Sequence, residues 1–455
     1  MNVLDRLETT LRVRGGHRLT GSVETHGAKN AALPIMAAAL LAKSPVTLHR
    51  IPDITDVSVM RQLLEALGAR LRSEGPGTLT IDPSNLSSYR APYTLVRKLA
   101  ASFDLVGPLL GVFGQAEVPL PGGCVLGTRA TDLHEHAFRA LGAEVSNAHG
   151  YLIAKSASRR LSGGDVAFRQ PSVGATKNAL LAAVVADGTT ILRNVAMEPE
   201  VVDLANFLVA MGARIRGQGG DTIVVDGVRE LHGVEYEIIA DRIVTGTLLL
   251  AGCATRGDVT VERCVPDHLA LAIAKLSECG VKVTSGTDWI RAEAQRVTGG
   301  TDILTAPHPG FPTDLQPPML SFLCTCPGIS TVEETIFNAR FSYVNELARM
   351  GADVRVAIEN NTALIKGGAP LSGAPVEAPD IRAGAALVVA GLAAQGETEI
   401  IGLEYVDRGY ERLEETLSAL GGQVQRSSGI SPVVEPLGTF ETTAYPSLAA
   451  RSTTT

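Results

Sequence analysis

Charged and polar side chains recur at two kinds of place along this sequence, and both lie close to the start of a helix-like stretch. The first position, at the start of an apolar helix, holds Lys29-Asn30, Lys177-Asn178, Asp241-Arg242, Asp314, Asp380 and Arg382. The second, at the turn before the next helix, holds Arg129, Glu198, Arg340 and Arg408. A helix N-terminus presents free N–H groups and a positive dipole end, so cations placed there favour anions. These residues predict a site for a small, multiply charged anion or, with equal weight, a set of helix caps and salt bridges.

One cysteine differs from the others in its surroundings. Residues 119–129, PLPGGCVLGTR, contain three glycines and two prolines, a composition typical of a loop. Cys124 should therefore be accessible, and Arg129 favours its thiolate. A half-buried structural cysteine is the alternative interpretation. The remaining cysteines lie on apolar elements and are predicted to be structural: Cys253, Cys264, Cys279, Cys324 and Cys326.

Asp314 is a further candidate for chemistry. It lies in residues 311–316, FPTDLQ, directly after the proline- and histidine-rich residues 307–309. A carboxylate between such a turn and a helix acts either as an N-cap or as a general base. Its position alone favours the cap and leaves the base open.

The elements that position these residues repeat six times. An apolar helix, a glycine and an alternating strand recur at spacings of 68 to 74 residues, at Gly68, Gly142, Gly212, Gly280, Gly351 and Gly421. Glycine suits this place because helices commonly end in a left-handed residue. The clearest examples of an earlier helix in the unit, residues 28–43, 175–186, 243–254 and 382–394, are apolar all round, which predicts burial on every side.

The size of the unit bears on the fold class. Solenoid repeats usually run roughly 20–50 residues, and these units are longer. We therefore expect an α/β protein of two domains with three units each. Residues 23–238 are predicted to form one domain, which carries the Cys124 loop, and residues 1–22 with 239–441 the other. Residues 442–455 have no apolar period and are predicted to be disordered.

The composition excludes several classes of protein. The 455 residues carry a net charge of −8 and are only 4% aromatic, whereas nucleic-acid binders are basic and often add stacking aromatics. Neither a signal peptide nor an apolar run of about 18–20 residues is found. The six cysteines show neither zinc spacing nor a disulfide framework. We expect a cytoplasmic protein without nucleic-acid, membrane or metal partners, and the sequence predicts no oligomeric state.

Several motifs together resemble one family. They are GAKNAALP at 27–34, LPGGC at 120–124, SVGAT at 172–176, EPE at 198–200, FPTD at 311–314 and DRGYER at 407–412. In this order they resemble the enolpyruvyl transferases, most closely the branch that acts on UDP-N-acetylglucosamine. The shikimate-pathway branch lacks the cysteine loop. The resemblance implies a two-domain inside-out α/β barrel built from three pseudo-symmetric units per domain.

The resemblance also implies a reaction and its residues. The carboxyvinyl group of phosphoenolpyruvate would move to a hydroxyl of a uridine nucleotide with release of phosphate, without a cofactor. Cys124 would be the general acid and a target of fosfomycin, and Asp314 the base. The implied phosphoenolpyruvate set is Lys29, Asn30, Arg129, Arg340, Arg382 and Arg408, of which Lys29 and Arg408 are also catalytic. The implied acceptor set is Arg129, Ala130, Thr131, Asp132, Leu133, Gln170, Ser172, Val173, Gly174, Asp314 and Ile336.

Departures from the family pattern lie mostly on the acceptor side. Ala100 and Gln170 replace cations, Asp104 replaces an aromatic residue, Ala130 a proline and Ala339 an asparagine. A less positive pocket would hold a diphosphate less well, since each lost charge-assisted hydrogen bond costs roughly 1.5–3 kcal/mol.

Three hypotheses about function follow. The charge loss slightly favours the 3′-hydroxyl of UMP, as in the biosynthesis of nikkomycin- and polyoxin-type nucleoside antibiotics. The second is the 3-hydroxyl of UDP-N-acetylglucosamine in peptidoglycan synthesis. The third, from another class, is a non-catalytic nucleotide-binding regulator. Retention of Cys124, Asp314 and Arg408 argues against the regulator, because a binding module needs neither an acid nor a base.

Overall fold

The computed structural model describes residues 8–120 and 131–429. Within them the strands form five sheets of four strands and one of three. In chain order the strands are β1 Glu8–Arg14, β2 Thr20–Glu24, β3 Val46–His49, β4 Arg70–Ser73, β5 Leu79–Asp82, β6 Gln115–Pro119, β7 Ala143–Ala148, β8 Tyr151–Ser156, β9 Asp165–Ala167, β10 Thr189–Arg193, β11 Arg214–Arg216, β12 Thr222–Asp226, β13 Glu235–Glu237, β14 Asp258–Glu262, β15 Lys282–Ser285, β16 Trp289–Glu293, β17 Ile303–Leu304, β18 Gly328–Glu333, β19 Asp353–Ala357, β20 Thr362–Gly367, β21 Pro375–Glu377, β22 Glu397–Ile401 and β23 Gln423–Gly429.

The helices alternate with these strands. They are α1 Lys29–Ala38, α2 Thr55–Ala66, α3 Tyr93–Val96, α4 Val106–Phe113, α5 Asp132–Ala140, α6 Val173–Ala183, α7 Pro199–Ala210, α8 Arg242–Ala254, α9 Ala270–Glu278, α10 Gln316–Cys324, α11 Val344–Arg349, α12 Ile381–Ala393, α13 Leu403–Val406 and α14 Leu413–Ala419. Short 3₁₀-helices span Ala39–Leu41, Ala100–Leu105, Pro266–Leu269, Thr313–Leu315 and Ile358–Asn360. The first predicted helix is shorter than expected, since α1 ends at Ala38 and continues only as a 3₁₀ turn.

The sheets share one pattern of pairing. In the sheet β11-β12-β10-β9, the edge strand β9 runs parallel to β10, and the other pairs are antiparallel. Three sheets complete this pattern with a strand from a distant part of the chain, because β1 pairs with β22 and β23, β2 with β14, and β13 with β3. The three-stranded sheet β6-β8-β7 has an isolated parallel bridge between Arg90 and Glu117 where the others have a fourth strand.

The six repeated glycines share one backbone conformation. Gly68, Gly142, Gly212, Gly280, Gly351 and Gly421 have φ between +84° and +105°. Each follows a helix and precedes a strand of its sheet. This left-handed conformation is disfavoured for residues with a Cβ, and the predicted reason for glycine at these places is confirmed.

The apolar helices lie inside and the sheets outside. Every residue of α8 is buried, and α8, α10 and α12 pack on one another. Glycines allow the close approach: a Cβ on Gly246 of α8 would lie 2.6 Å from Leu315 Cδ1. The expectation that these helices are buried on all sides is confirmed.

Buried apolar residues form two clusters. One is drawn from residues 28–238 and the other from 11–19 and 240–424. The protein therefore has a two-domain inside-out α/β fold. The division at residues 22/23 and 238/239 remains our proposal for the domain boundaries. Among the described helices none is long and apolar enough to span a membrane.

Candidate active site

Lys29 is held at the first turn of α1 by two carboxylates. Its backbone N–H donates to Asp241 Oδ2 at 3.1 Å, and its Nζ lies 2.7 Å from Asp56 Oδ2. Ala28, which precedes the helix, has no side chain that could cap it. The capping oxygen therefore comes from the segment that joins the two domains.

Arg408 reaches the same carboxylate from the other domain. Its Nε donates to Asp56 Oδ1 at 2.8 Å, and Asp56 is only 2% exposed. Two of the expected phosphate ligands thus meet on one buried side chain. Asp56 was not among the residues predicted from the sequence, although it stands at the start of α2, where other units place Glu198, Arg340 or Arg408.

Asp314 lies between two buried arginines. Its Oδ1 accepts from Arg340 and its Oδ2 from Arg382, both at 2.9 Å. Burial favours the neutral carboxyl, but Arg382 and Arg340 outweigh it and hold the pKa of Asp314 well below its usual range. Nε of Arg340 is buried and makes no hydrogen bond of good geometry with a described residue.

Electrostatic interactions connect the residues around Asp56 with those around Asp314, so that they form one site. Burial lowers the pKa of Lys29. Asp56 raises this pKa, whereas Arg382 and Arg408 lower it further. Lys29 in turn contributes to the low pKa of Asp314. Four cations and two carboxylates therefore lie close together, which is suited to a small polyanion.

Other members of the repeated charged set make structural contacts. Arg242 Nε donates to Glu200 Oε1 at 2.9 Å, and both side chains are buried. Lys177 Nζ donates to the carbonyl oxygen of Asn30 at 2.9 Å. The carboxylate of Asp380 caps α12. The set therefore divides between a cation cluster and ordinary caps and salt bridges.

The expected acceptor residues at the starts of α5 and α6 are neighbours. Asp132 forms an ion pair with Arg169, which precedes the exposed Gln170. Ser172 Oγ caps α6 by accepting from the backbone N–H of Ala175 at 3.3 Å. Also in this region, Thr131 donates to Glu135, Leu133 is buried and Val173 is half-buried.

His134 ties this region together and was not singled out by the sequence. Its Nδ1 lies 3.1 Å from Asn178 Nδ2, and its ring packs edge-on against Phe103 at 4.9 Å between centroids. A Cβ on Gly174 would lie 3.2 Å from two atoms of the imidazole. Burial lowers the pKa of His134 to about 4. The histidine is therefore a neutral packing partner of the SVGAT turn.

The departures Ala100 and Asp104 belong to the 3₁₀-helix Ala100–Leu105 that carries Phe103. Ala100 is half-buried and Asp104 is buried. Near Asp314, the carboxylate of Glu334 accepts from Thr313 Oγ1 at 2.9 Å and from the N–H of Ile336 at 2.8 Å. Ile336 is thereby held close to the Asp314 turn.

Three expected site residues, Cys124, Arg129 and Ala130, lie outside the described residues, as do residues 442–455. The other five cysteines are free and buried, and their predicted structural role is confirmed. Burial raises the pKa of the Cys324 thiol to about 12. Across residues 8–120 and 131–429, no three His, Cys, Asp or Glu side chains are grouped as metal ligands would be.

Comparison with known proteins decides the family. A family model described as EPSP synthase (3-phosphoshikimate 1-carboxyvinyltransferase) matches residues 13–417. The chain belongs to the EPSP synthase family. This member of the family is therefore a transferase, and the predicted family, fold class and reaction class are confirmed.

Curated relatives align with almost the whole of this chain. A UDP-N-acetylglucosamine 1-carboxyvinyltransferase of Gloeobacter violaceus is 48% identical over 93% of this chain and 92% of its own length. UDP-N-acetylglucosamine 1-carboxyvinyltransferase 2 of Carboxydothermus hydrogenoformans is also 48% identical, over 91% of this chain and 99% of its own length.

Solved structures agree on the fold of this EPSP synthase family protein. The enolpyruvyl transferase NikO from Streptomyces tendae superposes with a TM-score of 0.82 at 27% identity, over 93% of this chain and 100% of that one. EPSP synthase from Acinetobacter baumannii superposes with a TM-score of 0.71 at 17% identity, over 92% of this chain and all of its own.

Proposed function

We propose that this transferase moves the carboxyvinyl group of phosphoenolpyruvate to the 3-hydroxyl of UDP-N-acetylglucosamine with release of phosphate, a cytoplasmic step of peptidoglycan synthesis. The observation that carries the proposal is the near-complete alignment, at 48% identity, with relatives named for this acceptor. The cluster of Lys29, Arg340, Arg382 and Arg408 supports it, because phosphoenolpyruvate is largely trianionic at neutral pH.

The acceptor proposed here differs from the one that the sequence slightly favoured. The preference for UMP rests on the cations lost at Ala100 and Gln170. Arg169 stands next to Gln170, supplies a cation on the same segment and reaches Asp132. The NikO structure is 27% identical to this chain, well below the relatives named for the sugar nucleotide. UMP therefore becomes the second candidate, supported by the acceptor-side departures alone.

We assign the substrate contacts by charge and position. Lys29 and Arg408, with Asn30 and Arg129, would hold the phosphate of phosphoenolpyruvate, and Arg340 and Arg382 its carboxylate. A planar guanidinium binds a carboxylate through two N–H groups, which suits the second pair. Residues 131–133, 170 and 172–174, with Ile336, would hold the acceptor.

The reaction would proceed by addition and elimination. The Cys124 thiol gives a proton to C3 of phosphoenolpyruvate, while the acceptor oxygen bonds to C2 and its proton passes to Asp314. The tetrahedral intermediate then loses a proton from C3 and its phosphate, leaving the enol ether. Closure of the two domains around this intermediate would exclude water.

Asp314 needs its arginines to move before it can act as a base. While both bind it, the low pKa of this carboxylate makes it a poor proton acceptor. When the carboxylate of phosphoenolpyruvate takes over Arg340 and Arg382, the pKa of Asp314 rises toward its ordinary value. The arrangement would thus couple binding of phosphoenolpyruvate to activation of the acceptor hydroxyl.

Phosphate release from phosphoenolpyruvate tests the proposal. We expect wild-type protein to release phosphate only when the nucleotide sugar is present, and fosfomycin to inactivate it by alkylating Cys124. Cys124→Ser should lose most turnover and keep nucleotide binding. Nucleotide binding without any turnover by the wild type would favour the non-catalytic regulator instead, and a fully active Cys124→Ser would remove the thiol from the mechanism.

A further inference from the structure

We infer that Asp56 is a positioning residue that holds Lys29 and Arg408 at the separation a phosphate needs when the two domains are closed. This inference rests on the phosphate site of the proposed function and extends it by one residue. Asp56 would not itself touch the substrate phosphate, since two like charges in contact repel each other.

The geometry of the bridge supports this role. Asp56 is 2% exposed and uses a different oxygen for each cation, Oδ2 for Lys29 Nζ and Oδ1 for Arg408 Nε. Because Arg408 binds through Nε, its two terminal nitrogens remain available for an anion. Lys29 likewise keeps N–H donors beyond the one directed at Asp56. The bridge thus orients both cations without consuming them.

Neighbouring contacts fix the same seam between the domains. The N–H of Thr55 donates to the carbonyl oxygen of Asp407 at 3.0 Å, and the N–H of Asp53 to Glu411 at 3.0 Å. Asp56 is the second residue of α2, where the helix dipole favours a carboxylate. The turn before α2 is therefore fixed against the turn that carries Arg408. Asp56 is a buried, charged residue at this contact between the domains.

Electrostatics and positioning predict opposite effects when the charge of Asp56 is removed. Coulomb attraction alone would make an anion bind more tightly to Lys29 and Arg408 once their counter-charge is gone. If Asp56 positions them, its loss frees two long side chains that repel each other across the domain boundary, and the anion binds more weakly. The sign of the change therefore distinguishes the two roles.

The experiment compares Asp56→Asn with Asp203→Asn. Asp203 is a matched control, because it is also 2% exposed and lies in the same domain, bound to Tyr236 Oη at 2.7 Å. We expect Asp56→Asn to raise the KM for phosphoenolpyruvate at least fivefold and to weaken binding of inorganic phosphate, measured by calorimetry, at least fivefold. The KM for the acceptor should stay within twofold, and Asp203→Asn should change neither quantity by more than twofold.

A second pair of variants shows whether Asp56 acts through Arg408. The loss of kcat/KM in Asp56→Asn combined with Arg408→Lys should fall at least fivefold short of the product of the single losses, because residues acting as a unit are not additive. A multiplicative loss would overturn the inference, as would unchanged or tighter phosphate binding by Asp56→Asn. Suppose that the wild type binds phosphate and that Asp56→Asn weakens this binding as expected, but that the wild type never turns over phosphoenolpyruvate. The proposed function then fails and the inference stands. A wild type that binds no phosphate overturns the inference.

Discussion

Asp241 accepts a hydrogen bond from the backbone N–H of Lys29 at 3.1 Å, at the point where the chain crosses between the two domains. Its other oxygen caps α8 through the N–H groups of Ile243 and Val244, at 2.9 and 3.0 Å. One buried carboxylate thus serves the first turn of a helix in each domain. The place of Lys29 is therefore tied to the start of α8 in the other domain through one side chain.

Removing this shared cap should cost stability. We expect Asp241→Ala to lower the free energy of unfolding by about 2–3 kcal/mol, the sum of a lost N-cap and a lost buried hydrogen bond. Asp241→Asn keeps one acceptor oxygen and should lose about half as much. Urea unfolding followed by circular dichroism measures both, and an alanine variant within 0.5 kcal/mol of the wild type, on the order of the usual error, would contradict the shared cap.

A methyl group on Gly174 should disturb the acceptor site. Its Cβ would lie 3.2 Å from Cε1 and Nε2 of His134, a buried ring that has little room to move. We expect Gly174→Ala to raise the KM for the acceptor at least fivefold and to leave that for phosphoenolpyruvate within twofold. Gly299→Ala is the control, since its Cβ would meet nothing closer than 4.0 Å. Equal acceptor KM values for the two variants would refute the contact.

Acid should weaken the fold partly through His134. An unfolded histidine titrates near pH 6.5, whereas burial lowers the pKa of His134 to about 4. Between these values the unfolded chain binds more protons, so the free energy of unfolding falls as the pH drops, by at most about 1.4 kcal/mol per unit. His134→Gln lacks this component. The stability difference between wild type and variant should therefore shrink from pH 7 to pH 4, and a constant difference would contradict a neutral, buried imidazole.

Replacing Asp314 should affect both activity and stability. As a general base it should contribute roughly 100-fold or more to turnover, and its loss leaves two buried arginines unpaired. We expect Asp314→Asn to reduce kcat at least 100-fold and the free energy of unfolding by about 2–4 kcal/mol. Asp353→Asn, whose carboxylate is exposed and 3.8 Å from Arg355, is the matched control and should change neither. A kcat within tenfold of the wild type would exclude Asp314 as the base.

The repeat and its internal helices could be predicted from sequence because their causes are local. A glycine that ends a helix in the left-handed region can be recognised in the sequence at Gly68 and at Gly421 alike. An all-apolar helix such as α8 can only be buried. The partners of β1 and β2 could not be predicted in this way. Each completes a sheet whose other strands lie more than 200 residues away in the sequence.

The site was only partly predictable for the same reason. Lys29, Asp314 and Arg408 stand in motifs and were singled out, but Asp56 has the appearance of an ordinary acidic residue in the first turn of a helix. Its importance comes from Arg408, which the fold brings to it from the other domain. His134 was missed because a neutral, packed histidine has no sequence signature. The charge count at Gln170 did not include Arg169, which stands beside it and forms an ion pair with Asp132.

The proposed transfer of a carboxyvinyl group to a uridine nucleotide sugar can be checked in a single competition experiment. The protein is incubated with phosphoenolpyruvate and equal concentrations of UDP-N-acetylglucosamine and UMP, and the enol ether is identified by mass spectrometry. We predict that the sugar nucleotide alone gains the carboxyvinyl group and that UMP is recovered unchanged. Enolpyruvyl-UMP as the main product would contradict the proposed acceptor, and the absence of any enol ether would contradict the proposed reaction.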